Sequence, residues 1–192
     1  RMGHTVVSVD LPALPKALAV YYIIQPAEAS ANLARFDGIR YGFSKDAERL
    51  IDVYKQSRGE GFGKETRRRI LLGTYVLSAG YYDAYYNKAV AVRKQITREL
   101  EEAFQKVDVI ATPTTPSPAW KLGAKSSDPI KMYLEDIFTV PANIAGIPAI
   151  SVPAGTVVRD TIKLPVGIQF MGAQFQEEQL FQVGRAIERI YE

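Results

Sequence analysis

Cysteine is absent from the 192 residues and histidine occurs once, as His4. A disulfide framework and a thiolate metal site are therefore excluded, and a zinc site has almost no ligands to draw on. Charge of one sign is also in short supply. Lys and Arg number 24 against 21 Asp and Glu, a net +3, which is too little to argue nucleic-acid binding on charge alone. No uninterrupted apolar run approaches the roughly 20 residues that a spanning helix needs, and nothing at the start reads as a signal peptide. A cytoplasmic location with no membrane partner fits. Signatures of catalysis are equally scarce. There is no Gly-x-Ser-x-Gly elbow, and the Ser126-Ser127 pair lacks flanking glycines. Gly59, Gly61 and Gly63 lack the preceding strand and the Gly-Lys-Ser/Thr ending of a phosphate loop. His4, near the chain start, reads as an exposed turn residue rather than a general base.

What is present is a composition that is 47% hydrophobic, enough for one substantial core, with a single domain over residues 1–192 as the default. The β-branched run Thr5-Val-Val-Ser-Val-Asp10 predicts a strand over 5–10. Arg1 is not an initiator methionine and the chain enters that run almost at once, so a fragment is expected. Pro15 stands at a favoured first-turn position for a helix, and Pro26 is expected to kink or restart it. Ser44 is placed to cap a helix over 46–57, and Thr66 one that carries Arg67-Arg68-Arg69. The spacing of Tyr82, Tyr85, Tyr86, Ala89, Val92, Ile96, Leu100 and Phe104 predicts one long helix over 81–106. Its tyrosines resemble an aromatic box, although packing is the commoner use of such a stripe.

The organising stretch runs from Asp108 to Gly155. It holds two short apolar runs, Asp108-Val-Ile-Ala-Thr112 and Ala149-Ile-Ser-Val152, the first ending in Pro113-Thr-Thr-Pro116-Ser-Pro118 and the second in Pro153-Ala-Gly155. Ligand crevices in open α/β sheets lie beyond strand ends, so both loops are candidate cleft rims. Between them, Asp128-Pro129 predicts a capped helix over 129–138. A strand over 165–171, preceded by a loop holding Asp160 and Lys163, and an amphipathic helix over 176–191 with Leu180, Val183, Ile187 and Ile190 inward, complete the chain. The order is that of an α/β fold, a mixed β-sheet flanked by helices.

Three side chains stand out as ligand contacts. One of Arg68 and Arg69 must face the apolar side of its helix, because Leu71, Leu72, Tyr75 and Val76 follow at helical spacings. A guanidinium so placed needs an anionic partner. Asp136, a negative charge near a helix C-terminus where the macrodipole opposes it, is one candidate. The two form a structural salt bridge, or they grip a zwitterion, arginine holding the carboxylate and aspartate the ammonium; plain exposure is the remaining alternative.

Five segments carry a family resemblance. They are Tyr21-Tyr-Ile-Ile-Gln-Pro-Ala-Glu-Ala-Ser-Ala-Asn-Leu-Ala-Arg-Phe-Asp-Gly-Ile-Arg-Tyr-Gly42, Gly61-Phe-Gly-Lys-Glu-Thr-Arg-Arg-Arg-Ile-Leu-Leu-Gly-Thr74, Ser78-Ala-Gly-Tyr-Tyr-Asp-Ala-Tyr-Tyr86, Asp108-Val-Ile-Ala-Thr-Pro-Thr-Thr-Pro116 and Pro141-Ala-Asn-Ile-Ala-Gly-Ile-Pro-Ala-Ile-Ser-Val-Pro153. Together they resemble the carboxyl-terminal part of the amidase signature family, in its branch of A subunits of the glutamyl-tRNA(Gln)/aspartyl-tRNA(Asn) amidotransferases. The resemblance implies the C-terminal portion of an amidase signature domain without its catalytic half, since nothing here matches the family's Gly- and Ser-rich segment with its lysine and two serines. No catalytic residue is then expected in this chain, and the chain by itself would be inactive. By position in the matching motifs the resemblance assigns substrate binding to Tyr21, Arg69 and Asp136, with Arg69 on the α-carboxylate of glutamine, Asp136 on the α-ammonium, and Tyr21 as a hydroxyl or ring contact. It implies glutamine hydrolysis, with the ammonia used to convert Glu-tRNA(Gln) to Gln-tRNA(Gln). Subunits B and C are the implied partners, ATP and magnesium belong to the B subunit with no cofactor in this chain, and mischarged tRNA is met through the complex rather than directly. A fragment of a free-standing amidase, which a neutral or hydrophobic residue in place of Arg69 and Asp136 would favour, and a non-catalytic assembly module are the rival readings.

Overall fold

In the computed structural model, which describes residues 3–124 and 129–191, a first helix, α1, spans Ala17–Leu33 and runs straight through Pro26. An interior proline removes one amide donor and crowds the carbonyl four residues back, yet the helix neither stops nor restarts. A single 3-10 turn, Leu14–Lys16, leads into it with Pro15 in the first-turn position. The chain divides into two units, Ala19–Ala91 and Arg1–Leu18 with Val92–Glu192.

The first unit is helical. After α1 come α2, Leu50–Gly61, and α3, Lys64–Val76. Gly73 of α3 lies against α1 so closely that a Cβ there would stand 1.9 Å from the carbonyl oxygen of Pro26. Only glycine permits that backbone-to-backbone approach. Arginines close the helix ends, where the last carbonyls have no intrahelical donor. Arg58 Nη1 donates to the carbonyls of Leu33 (3.0 Å) and Phe36 (2.9 Å) at the end of α1, and Arg67 Nη1 to that of Gly59 (3.2 Å). Gly38, at φ 86°, turns the chain after α1. Ser44 does not cap the next helix; its hydroxyl donates to the Gly38 carbonyl at 2.6 Å and closes the 38–44 loop instead. With that hydroxyl committed, α2 starts six residues later and continues past Gly59.

The helix expected over 81–106 is divided. A π-helical segment, Tyr82–Asn87, precedes α4, Lys88–Phe104. The wider π turn brings successive tyrosines into register: Tyr81 stacks on Tyr85 at 5.9 Å and Tyr82 on Tyr86 at 5.1 Å, and Tyr75 of α3 meets Tyr81 at 4.3 Å. These rings pack on one another at the surface and enclose no aromatic box.

The second unit is built on three antiparallel strands in the order β1, β3, β2: Val109–Pro113, Ile162–Gly172 and Ala149–Arg159. Helices and strands combine in the α/β arrangement the sequence predicts, with the last helix on the sheet, but the sheet expected as mixed is antiparallel in both of its pairings. Several expectations change. The run from Ala149 does not end at Pro153-Ala-Gly155 but continues through a register shift between Pro153 and Thr156, with Gly155 at φ 99°. Lys163 lies within β3, opposite Val158, because Asp160 and Thr161, both at positive φ, make a two-residue turn of the twist that hairpins favour. Residues 5–10 form no ladder, and Val6 is 93% exposed; without a partner edge their backbone is left to water. The helix expected over 129–138 is broken into α5, Pro129–Tyr133, and a 3-10 turn, Leu134–Asp136, followed by α6, Val140–Ala145, which ends on Gly146 in the left-handed region. The expected cap Asp128 and the pair Ser126-Ser127 lie outside the described residues. Helix α7, Glu177–Tyr191, packs on the sheet, where Val152, Phe170 and Leu180 form a core with Val183 and Ile187 against it. Ile190, expected inward, is exposed.

Gly73→Ala is expected to destabilise the protein by about 1–3 kcal/mol, the usual range for forcing atoms into a filled contact. Gly59→Ala, at a helical position where a Cβ meets nothing within 4 Å, is expected to be neutral or slightly stabilising. Urea midpoints of the two variants check both.

Candidate functional site

The structure separates Arg68 from Arg69. Arg68 points outward, with its side chain 53% exposed, whereas that of Arg69 is 25% exposed. The difference follows from α3 itself, since Arg69 lies one turn before Gly73 and shares the face that meets α1. Arg69 Nε donates to Glu65 Oε1 at 3.0 Å, and Nη1 to Gln25 Oε1 at 2.7 Å. The guanidinium carbon lies 5.8 Å from the ring centre of Tyr22, and Tyr22 meets Tyr21 edge-on at 5.2 Å. Burial works against the charge on Arg69, but its hydrogen bonds to Tyr21 and Glu65 outweigh that and hold its pKa above the ordinary guanidinium value. The site therefore carries a permanent cation, half-buried and fixed from several sides.

Tyr21 and Arg69 are thus brought together within one unit. The carboxylate paired with Arg69 within that unit is Glu65, one helical turn away. Asp136 belongs to the other unit. It is exposed and ends the 3-10 turn, and its backbone carbonyl accepts from the amide and hydroxyl of Thr139 at 3.1 and 3.2 Å. His4 is exposed in an irregular segment.

Around that turn the second unit builds a polar network that spacing did not reveal. Glu135, only 9% exposed, accepts from Ser117 Oγ through both carboxylate oxygens, at 3.0 and 2.8 Å. Gln169, 3% exposed, donates to Thr112 Oγ1 at 3.0 Å and to the Phe138 carbonyl at 2.7 Å, tying the segment after Asp136 to the sheet. Thr114 and Ser151 share a hydrogen bond of 2.6 Å across Gly167 of β3, where a Cβ would come within 2.9 Å of both hydroxyls. The proline loop after β1, expected as a cleft rim, does line a cavity of about 510 Å³ together with Val157, Val166, Gly167 and Ile168. A Gln within the run Val166-Gly-Ile-Gln-Phe-Met171 is a sequence signal that points to Gln169, whereas Glu135, one residue from Asp136, is distinguished by its burial alone. Among the described residues no group of three or more His, Cys, Asp or Glu could hold a metal ion, and no helix is long and apolar enough to cross a membrane.

The amidase family profile matches residues 1–181. The chain is 54% identical over 186 residues to the A subunit of glutamyl-tRNA(Gln) amidotransferase from Pelagibacter ubique (strain HTCC1062), covering 97% of this chain and 38% of that protein. It is 55% identical over 190 residues to the protein of the same name from Geobacillus thermodenitrificans (strain NG80-2), covering 98% and 38%. The crystal structure of the corresponding Thermotoga maritima protein superposes with a TM-score of 0.65 at 44% identity, over 94% of this chain and 34% of that one. The chain thus spans little more than a third of the length of the relatives it matches.

Two outcomes follow from the local geometry. A hydrogen bond to Tyr81 is the main cause that pushes the Tyr75 hydroxyl up to about 12, so ultraviolet titration is expected to show a tyrosine ionising well above the usual 10, and Tyr81→Phe to bring it down. Ser117→Ala, which strips the buried Glu135 carboxylate of a donor, is expected to cost about 1–3 kcal/mol, read from urea unfolding at pH 7.

Proposed function

The chain belongs to the amidase family, and from that premise we propose that it supplies the glutamine-binding wall of the glutaminase subunit of a tRNA-dependent amidotransferase. The observation that carries the reading is Arg69, a cation held half-buried by Gln25, Glu65 and Tyr21 in a segment more than half identical to those subunits. Glu65 pairs with Nε and is itself partly exposed, so it offsets the charge of Arg69 only in part. The α-carboxylate of a free amino acid is the ligand that such a planar fork matches.

In this reading Arg69 pairs with the α-carboxylate of glutamine, Tyr21 offers its hydroxyl or ring, and Asp136 takes the α-ammonium. These contacts recognise both charges of the amino acid and leave its side-chain amide for the chemistry. The amide carbonyl is attacked by a serine whose proton passes through a second serine to a lysine, with backbone N–H groups holding the oxyanion. Ammonia leaves, and water releases glutamate from the acyl-enzyme. Those three residues belong to the part of the full-length protein that this chain does not match, and the two units of this chain are parts of the same amidase signature domain. The ammonia serves the conversion of Glu-tRNA(Gln) to Gln-tRNA(Gln). A partner B subunit supplies the ATP and magnesium site and meets the mischarged tRNA, and a small C subunit wraps around the glutaminase. This chain alone is inactive in that scheme.

Glutamate release from glutamine tests the reading, measured on the 192-residue chain and on the full-length protein with its partners. Activity confined to the full-length protein is expected, and hydrolysis by the chain alone would overturn the proposal. In the full-length protein Arg69→Ala is expected to raise KM for glutamine or lower kcat/KM roughly tenfold or more, the scale of a lost charged hydrogen bond. Unchanged kinetics would remove Arg69 from the site.

A further inference from the structure

Gln25 has no binding role in that scheme, yet its side-chain oxygen lies 2.7 Å from Arg69 Nη1, closer than the 3.0 Å between Nε and Glu65, and it reaches across 44 positions of sequence. Its place is set by the backbone. Gln25 follows Tyr21 by one turn of α1 and directly precedes Pro26, whose carbonyl lies against Gly73, and Gly73 follows Arg69 by one turn of α3. The tightest approach between the two helices thus fixes the height at which the amide meets the guanidinium.

The chemistry of the two acceptors differs. Glu65 pairs with Nε as a carboxylate on the same helix, with its side chain 43% exposed, where water weakens the pair. Gln25 orients the guanidinium plane through a neutral oxygen and subtracts nothing from its charge. A fixed plane matters because bidentate recognition of a carboxylate tolerates little rotation. Neutrality matters because a second carboxylate at this position would compete with the ligand's own.

We infer that Gln25 is a positioning residue for Arg69, and that its uncharged amide sets selectivity for substrates bearing a free α-carboxylate. The inference rests on the proposed role of Arg69 in binding glutamine.

The test uses the full-length protein with its partner subunits and compares Gln25→Glu with Gln25→Leu. Gln25→Glu keeps an acceptor and adds an ion pair, so a purely structural role ranks it close to the parent, with Gln25→Leu worse. The positioning role inverts that order. Gln25→Glu is expected to raise KM for glutamine about tenfold or more with kcat little changed, while the urea midpoint holds or rises; Gln25→Leu is expected to raise KM about threefold to tenfold, the range for one lost hydrogen bond. Turnover of a simple amide without an α-carboxylate is expected to be unaffected by Gln25→Glu. A Gln25→Glu enzyme with the parent KM, or one whose loss is equal for both amides, overturns the inference. Arg69→Ala run alongside separates the two failures. If it raises KM while Gln25→Glu does not, only the role of Gln25 falls, and if it leaves KM unchanged the reading of the site falls with it.

Discussion

The carbonyl of Pro26 faces Gly73 across a gap in which no Cβ fits, and the helical unit depends on that contact. Two helices normally meet through side chains, with axes about 8–10 Å apart. Here a glycine lets one backbone lie on the other, and every side chain one turn away inherits its height from that point. Arg69 and Gln25 form a polar pair directly beside it. The interior proline of α1 and the glycine of α3 are each unfavourable to an isolated helix; both are tolerated because tertiary packing offsets their penalties.

The sheet unit solves a similar problem with hydrogen bonds. Gln169 is buried on a strand whose neighbours are Ile168 and Phe170, and it carries its amide to Thr112 and to the Phe138 carbonyl. Ser117 does the same for Glu135. A buried amide or carboxylate is costly when unsatisfied and directional when satisfied. These two therefore hold the 113–118 loop and the 134–139 turn in defined positions, and Asp136 is carried by the turn they hold. Gly167 has the same function as Gly73, since its missing side chain is what allows Thr114 and Ser151 to meet over β3.

The two arrangements share a logic. In each unit one glycine removes bulk at the closest approach, and one neutral amide, Gln25 or Gln169, ties together segments far apart in the chain. An amide orients its partner without supplying charge, so the charge of Arg69 is upheld against the cost of burial by its hydrogen bonds to Tyr21 and Glu65. The stacked tyrosines at the π turn are a separate surface feature, held by ring packing.

Much of this chain was legible in its order of residues. The alternation of helices and strands, the strand expected over 108–112 and found at 109–113, and the helical periodicity over 88–104 came from apolar spacing, which is a local signal. The motif matches assign substrate binding to Tyr21, Arg69 and Asp136, and of these the structure brings Tyr21 and Arg69 together within one unit. Other features were invisible for a common physical reason. Residues 5–10 look like a strand, but a strand exists only with a partner edge. Ser44 looks like a cap, but its hydroxyl closes the preceding loop. The choice between Arg68 and Arg69, and the identity of the carboxylate beside the inward one, could not be read from spacing, because both arginines fit the helical pattern. Sequence by itself determined which residues can bear charge and where helices are permitted. Only the tertiary structure decided which guanidinium turns inward and what holds it, because that outcome depends on a backbone contact between residues 26 and 73, far apart in the chain.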